Sequence, residues 1–159
     1  AVVIGNVRVG PEASIWFNTT VRGDIAPITV GARSSVQDGT VVHVNTDAPT
    51  VIGEDVTIGH SALIHGTTIG NGSMIGMGAI VLSYSRIGSG VVVAAGALIP
   101  ERAEIPDGAV MMGIPAKQRD SLSPEQQERI GGIGDRYVRV SRNYLADLRS
   151  GNHDATREP

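Results

Sequence analysis

At 159 residues the chain holds one domain with a continuous core, and its formal charge of −3 leaves it without the basic surplus that nucleic acid or anionic lipid would attract. No apolar run approaches the roughly 20 residues of a membrane-spanning helix, so a soluble, cytoplasmic protein is expected; with no cysteine, any metal must sit on nitrogen or oxygen ligands. Hydrophobic residues make up 41% of the chain but aromatic ones only 3%, so Ile, Val and Ala must fill the interior, which suits a narrow cross-section stacked many times.

Taken in chain order, the first elements already show the repeat. Val9, Ile15 and Val21, then Val30 and Val36, are six residues apart. From Ile52 an aliphatic residue recurs through Ile58 and Ile64, slips by one to Ile69, and continues through Ile75, Val81, Ile87, Val93, Ile99 and Ile105. A period of six fits neither a helix nor a heptad seam; it fits a short strand and a tight turn wound into a coil of three hexapeptides, with coils stacked in parallel. The fold class is therefore an all-β solenoid, a parallel β-helix over 1–117. The spacing fails at Asp24–Thr29 and again at Val44–Thr50, and both breaks are expected to be loops. Beyond Lys117 the period ends, and 118–150 is expected to be helical and to pack on the solenoid. Ser123-Pro124 is its N-terminus, and Ile130, Ile133, Tyr137, Val140, Tyr144 and Leu148 form its apolar stripe. Gly131, Gly132 and Gly134 favour a kink or break in it, and 151–159 is a polar tail.

Of four histidines, three lie in the repeat, at His43, His60 and His65, and His153 lies in the tail. His60 and His65 follow closely on Ile58 and Ile64, so they are expected to point outward rather than into the core. Three imidazoles with an open position make a catalytic metal site. The 17-residue step from His43 to His60 is near one coil, which predicts neighbouring coils and similar faces, with His65 across or near a corner. That geometry does not obviously unite all three in one subunit, and a neighbouring subunit could supply the missing ligand.

Arg22-Gly23-Asp24, Val36-Gln37-Asp38-Gly39, Val42-His43, Ile58-Gly59-His60 and Ile64-His65-Gly66, in this order on a hexapeptide background, resemble the γ-class carbonic anhydrases. The resemblance implies a left-handed β-helix, a homotrimer, and reversible hydration of CO2 to bicarbonate by metal-bound hydroxide at the subunit interfaces. It implies that His43 and His65 of one subunit and His60 of the next hold Zn2+, for which Fe2+ or Co2+ could substitute. It further implies that Arg22 and Asp24 form an ion-paired interface rim, that Gln37 hydrogen-bonds hydroxide or substrate, that Asp38 supports the ligands, and that Tyr137, in competition with Tyr144, is the active-site tyrosine. Two departures stand out. Ile25-Ala26-Pro27-Ile28 follows Asp24 where well-studied members carry glutamate, which argues for low turnover, and Ser35 stands where relatives place Asn. Two other readings remain: a hexapeptide-repeat acyltransferase or thioesterase, and a weakly active metal-binding scaffold subunit. Against a coenzyme A site, Lys117 is the only lysine.

Overall fold

An aliphatic residue at every sixth position can be buried only if each strand is very short and the chain turns after it. The computed structural model, which describes residues 1–119 and 122–150, has this construction. Two-residue strands alternate with turns, and their parallel ladders make three faces. Val36, Ile58, Ile75, Val93 and Met111 stack on the first face. On the second are Val21, Val42, Ile64, Val81 and Ile99. On the third are Val30, Ile52, Ile69, Ile87 and Ile105. All but Ile105 are buried, and they form one continuous core with Val56, Ala62, Ala79, Val91 and Ala97. The result is a parallel β-solenoid with a C-terminal helix, consistent with the left-handed β-helix of hexapeptide repeats.

Coil length decides which side chains lie over one another. Uninterrupted coils are 17 or 18 residues long: Ile64 pairs with Val81, and Thr67 sits over Ser85. The coil that contains Val44–Pro49 is longer, and it sets His43 in register with His65, 22 residues on. The segment Asn45–Ala48 is the expected loop, closed by a bridge between its ends. Asp24–Thr29 is not a loop. Thr20–Val30 is one strand that passes from the second face to the third, and Val2–Val9 pairs with it through a register shift at Gly5. A failure of the six-residue period has two physical outcomes, a turn that leaves the wall or extra residues absorbed into an extended corner, and here the second occurs. Gly5 permits it: its φ is +85°, and a Cβ there would lie 2.2 Å from the Gly23 carbonyl oxygen.

The C-terminal helix spans Pro124–Ser150. Ser123 and Gln126 cap it reciprocally, each backbone N–H donating to the other's side-chain oxygen. It runs unbroken through its glycines, whose cost of about 1 kcal/mol each relative to Ala is offset by docking. Val138 is buried, Trp16 packs edge-on against Tyr137 and Tyr144, and Arg142 pairs with Glu12. Before the helix, Lys117–Arg119 adds an antiparallel strand against Val110–Met112, an element the repeat did not announce. Among the described residues no helix is long and apolar enough to cross a membrane.

Candidate functional site

His43 and His65 end strands that are neighbours on the second face, one residue after the buried Val42 and Ile64, so both rings point out of the wall. Their register brings His43 Nδ1 within 3.2 Å of His65 Nε2. Each ring's other nitrogen is also held: His43 Nε2 lies 2.9 Å from Asp24 Oδ1, and His65 Nδ1 lies 2.8 Å from Ser83 Oγ. Arg22 pairs with the second oxygen of Asp24. The hydrogen bond to His43, and then Arg22, hold the Asp24 carboxyl down at about 2. Burial, and then His43 and Arg22, push the His65 imidazole below its ordinary value, which favours the neutral ring and a free lone pair at neutral pH.

His60 stands apart. It lies in the turn after Thr57–Ile58, with Nδ1 3.0 Å from Asp38 Oδ2 and Nε2 3.5 Å from the Tyr137 hydroxyl, the outer edge of hydrogen-bond range. The predicted residues thus fall into two groups: Arg22, Asp24, His43 and His65 on the second face, and Gln37, Asp38, His60 and Tyr137 beside the helix. The expectation that His43 and His60 share a face fails because the loop lengthens their coil and gives the place beside His43 to His65. Of the two tyrosines, Tyr137 reaches His60, while Tyr144 packs on Trp16 and Phe17. Burial and the Asp38 carboxylate push the Tyr137 hydroxyl pKa up, so it stays a proton donor. His153 lies outside the described residues.

The histidine pair can be tested against a metal by its span. Two nitrogens bound to tetrahedral zinc at about 2.0–2.1 Å lie about 3.3–3.4 Å apart. The observed 3.2 Å is close to that, and a carboxylate and a hydroxyl on the outer nitrogens are the supports that orient ligating imidazoles. The donors fit two positions of such an ion. Among the described residues of one chain no group of three or more His, Cys, Asp or Glu side chains is placed to hold a metal ion.

Ser83 and Tyr84 escaped the sequence reading. Tyr84 adopts a left-handed φ of 63°, uncommon for a bulky side chain, and it ties down the loop that follows His43. Its hydroxyl donates to Asp47 Oδ1 at 2.7 Å and accepts from Asn45 Nδ2 at 3.2 Å, while the Arg102 guanidinium lies 4.5 Å over the ring. The available signal was the coil length, since Ser83 lies 18 residues after His65.

Residues 49–83 and 66–101 match the family model described as bacterial transferase hexapeptide (six repeats). The chain is 41% identical to a carbonic anhydrase of Geobacillus kaustophilus over 144 residues, 91% of this chain and 79% of that protein. It is 37% identical to the mitochondrial γ carbonic anhydrase 2 of Arabidopsis thaliana over 92% of this chain and 55% of that protein. Among solved structures, a putative acetyltransferase of Bacillus cereus superposes with a TM-score of 0.87 at 37% identity, covering 89% of this chain and 83% of that one.

Proposed function

The chain belongs to the hexapeptide-repeat family that contains the γ-class carbonic anhydrases, and from that premise we propose that it catalyses the reversible hydration of CO2 to bicarbonate. In this reading the working unit is a homotrimer in which His43 and His65 of one subunit and His60 of the next hold a divalent metal. Zinc suits three imidazoles, and Fe2+ or Co2+ suit them as well. The observation that carries the proposal is the convergence of His43 Nδ1 and His65 Nε2 at 3.2 Å, with the outer nitrogens already occupied by Asp24 and Ser83.

When bound, the metal supplies acidified water, so that hydroxide is available near neutral pH, as in carbonic anhydrases generally. The chain's own residues do the rest. Asp24, Ser83 and Asp38 fix the orientation of the three imidazoles, and Arg22 holds Asp24 in place. The Gln37 side chain, nearly buried beside His60 and Tyr137, offers an amide to an oxygen of CO2 or bicarbonate, and the Tyr137 hydroxyl offers a second donor. The residues after Asp24 carry no carboxylate to accept the released proton, so turnover is expected to be slow.

An apolar second face supports the trimer. Val41, Leu63, Ile80 and Leu98 form an outward row beside His43 and His65, and Val41 and Leu63 are exposed in the single chain. Such a strip stabilises the protein when another copy covers it. The test is stopped-flow CO2 hydration by zinc-loaded and by chelator-treated protein, with metal counted in both. Activity that tracks zinc supports the proposal. Bound zinc without hydration would instead indicate a metal-bearing scaffold. The second reading, acyl transfer, draws on the likeness to a putative acetyltransferase and on the His60–Asp38 pair, an arrangement fit for a general base. Saturable binding of acetyl coenzyme A without zinc-dependent hydration would favour it.

A further inference from the structure

Between the helix and the first face of the solenoid runs a groove of about 490 Å³, within the size range of small-molecule sites. Its origin is a mismatch of side-chain size along the axis. Near the first coils the bulky Trp16 fills the space against Tyr137 and Tyr144. Farther along, the wall offers the smaller or unbranched Met74, Met77, Val92 and Ala94, and the helix adds Ile133 and Val140. The groove's polar groups are Gln37, Thr57, His60, Arg136 and Tyr137, and the rest of its lining is apolar. Met74 is half-buried in it, and an unbranched thioether reshapes easily around an aliphatic guest.

We infer that this groove binds a short aliphatic carboxylate, with its head on Arg136 and Tyr137 and its tail over Met74 and Val92. Charge selects the head. Arg136 is exposed at the groove and makes no salt bridge among the described residues, and Tyr137 presents a hydroxyl that can donate. Asp38, the acidic neighbour whose charge still reaches Tyr137, is turned onto His60 and does not line the groove, so Arg136 is the charged group that does. The tail has two coil steps to cover from the level of Thr57 to that of Val92, about 10 Å at roughly 4.8 Å per step. That length matches a chain like that of octanoate. The inference does not rest on CO2 hydration, and its test needs no activity.

Equilibrium dialysis of the whole protein against radiolabelled octanoate reads the binding directly, with butyrate and octanamide as competitors. One saturable site per chain is expected. Each methylene removed should weaken binding about two- to fourfold, so butyrate competes at least tenfold less well, and octanamide, lacking the charge, also competes at least tenfold less well. Arg136→Gln, a surface change, should abolish the preference for octanoate over octanamide. Ala94→Leu, which fills the floor, should abolish octanoate binding in a protein that melts normally. If that variant does not fold, Val92→Phe serves the same purpose. Unsaturable uptake, octanamide binding as tightly as octanoate, or full binding by the filled variant would each overturn the inference.

Discussion

Replacing Ser83 with Ala deletes one hydroxyl and nothing else, and it isolates what holds His65. Ser83 is 5% exposed, and its Oγ lies 2.8 Å from His65 Nδ1, so water cannot readily take its place. Two losses follow. In metal-free protein, one hydrogen bond at a nearly buried position contributes about 0.5–1.5 kcal/mol, which in a chain of this size corresponds to a melting shift of roughly 1–6 °C. In metal-bound protein, His65 loses the partner that fixes its tautomer and keeps the Nε2 lone pair facing His43. Removing such a partner typically costs about 10–100-fold in metal affinity. Competition against a zinc chelator measures that loss, and melting in the presence of a strong chelator measures the first. Ser83→Thr keeps the hydroxyl and should retain most of the affinity. A Ser83→Ala protein that binds zinc within twofold of wild type would refute the reasoning, because it would show that the Ser83 contact does not orient the ligand.

Ile64→Ala empties a fully buried place between Val42 and Val81, directly beneath the histidine pair, and should cost about 2–5 kcal/mol in urea unfolding; a loss under 1 kcal/mol would contradict the stacked core. Gln37→Ala should lower the CO2 hydration rate and leave zinc content nearly intact, and equal loss of both would contradict its place beside the substrate. The Asp55 carboxyl is held below the usual carboxylate range by the Arg33 guanidinium, whose Nε lies 2.7 Å away. The unfolded chain therefore binds the proton more readily, so the pair's support is present above about pH 4 and fades as pH falls below it. Asp55→Asn should flatten the melting temperature against pH in that window by a small amount that added salt reduces, since the pair is exposed. An unchanged slope would count against it.

The repeat was legible because each coil allows one inward aliphatic side chain per strand, so Ile52, Ile58 and Ile64 announce three walls and fix their own register. The helix was legible from Ser123-Pro124 and from the stripe through Tyr137. Which histidines face each other was not, because that depends on coil length. Val44–Pro49 loops out and sets His65 over His43, whereas Asp24–Thr29 is absorbed into a strand, and in sequence both are the same loss of period. Ser83 was hidden for the same reason: serine is common in turns, and its alignment with His65 carries meaning only once the 18-residue step between them is known.

The central claim is that one metal is shared between subunits, by His43 and His65 of one and His60 of the next. Trimers refolded from a mixture of His60→Ala and His65→Ala chains test it most directly, with zinc counted per trimer. Where a His60→Ala chain supplies the pair and a His65→Ala chain supplies His60, the site is whole, so mixed trimers should regain one zinc of three and hydration in proportion. Mixed trimers that bind no more zinc than either single variant would contradict the shared site.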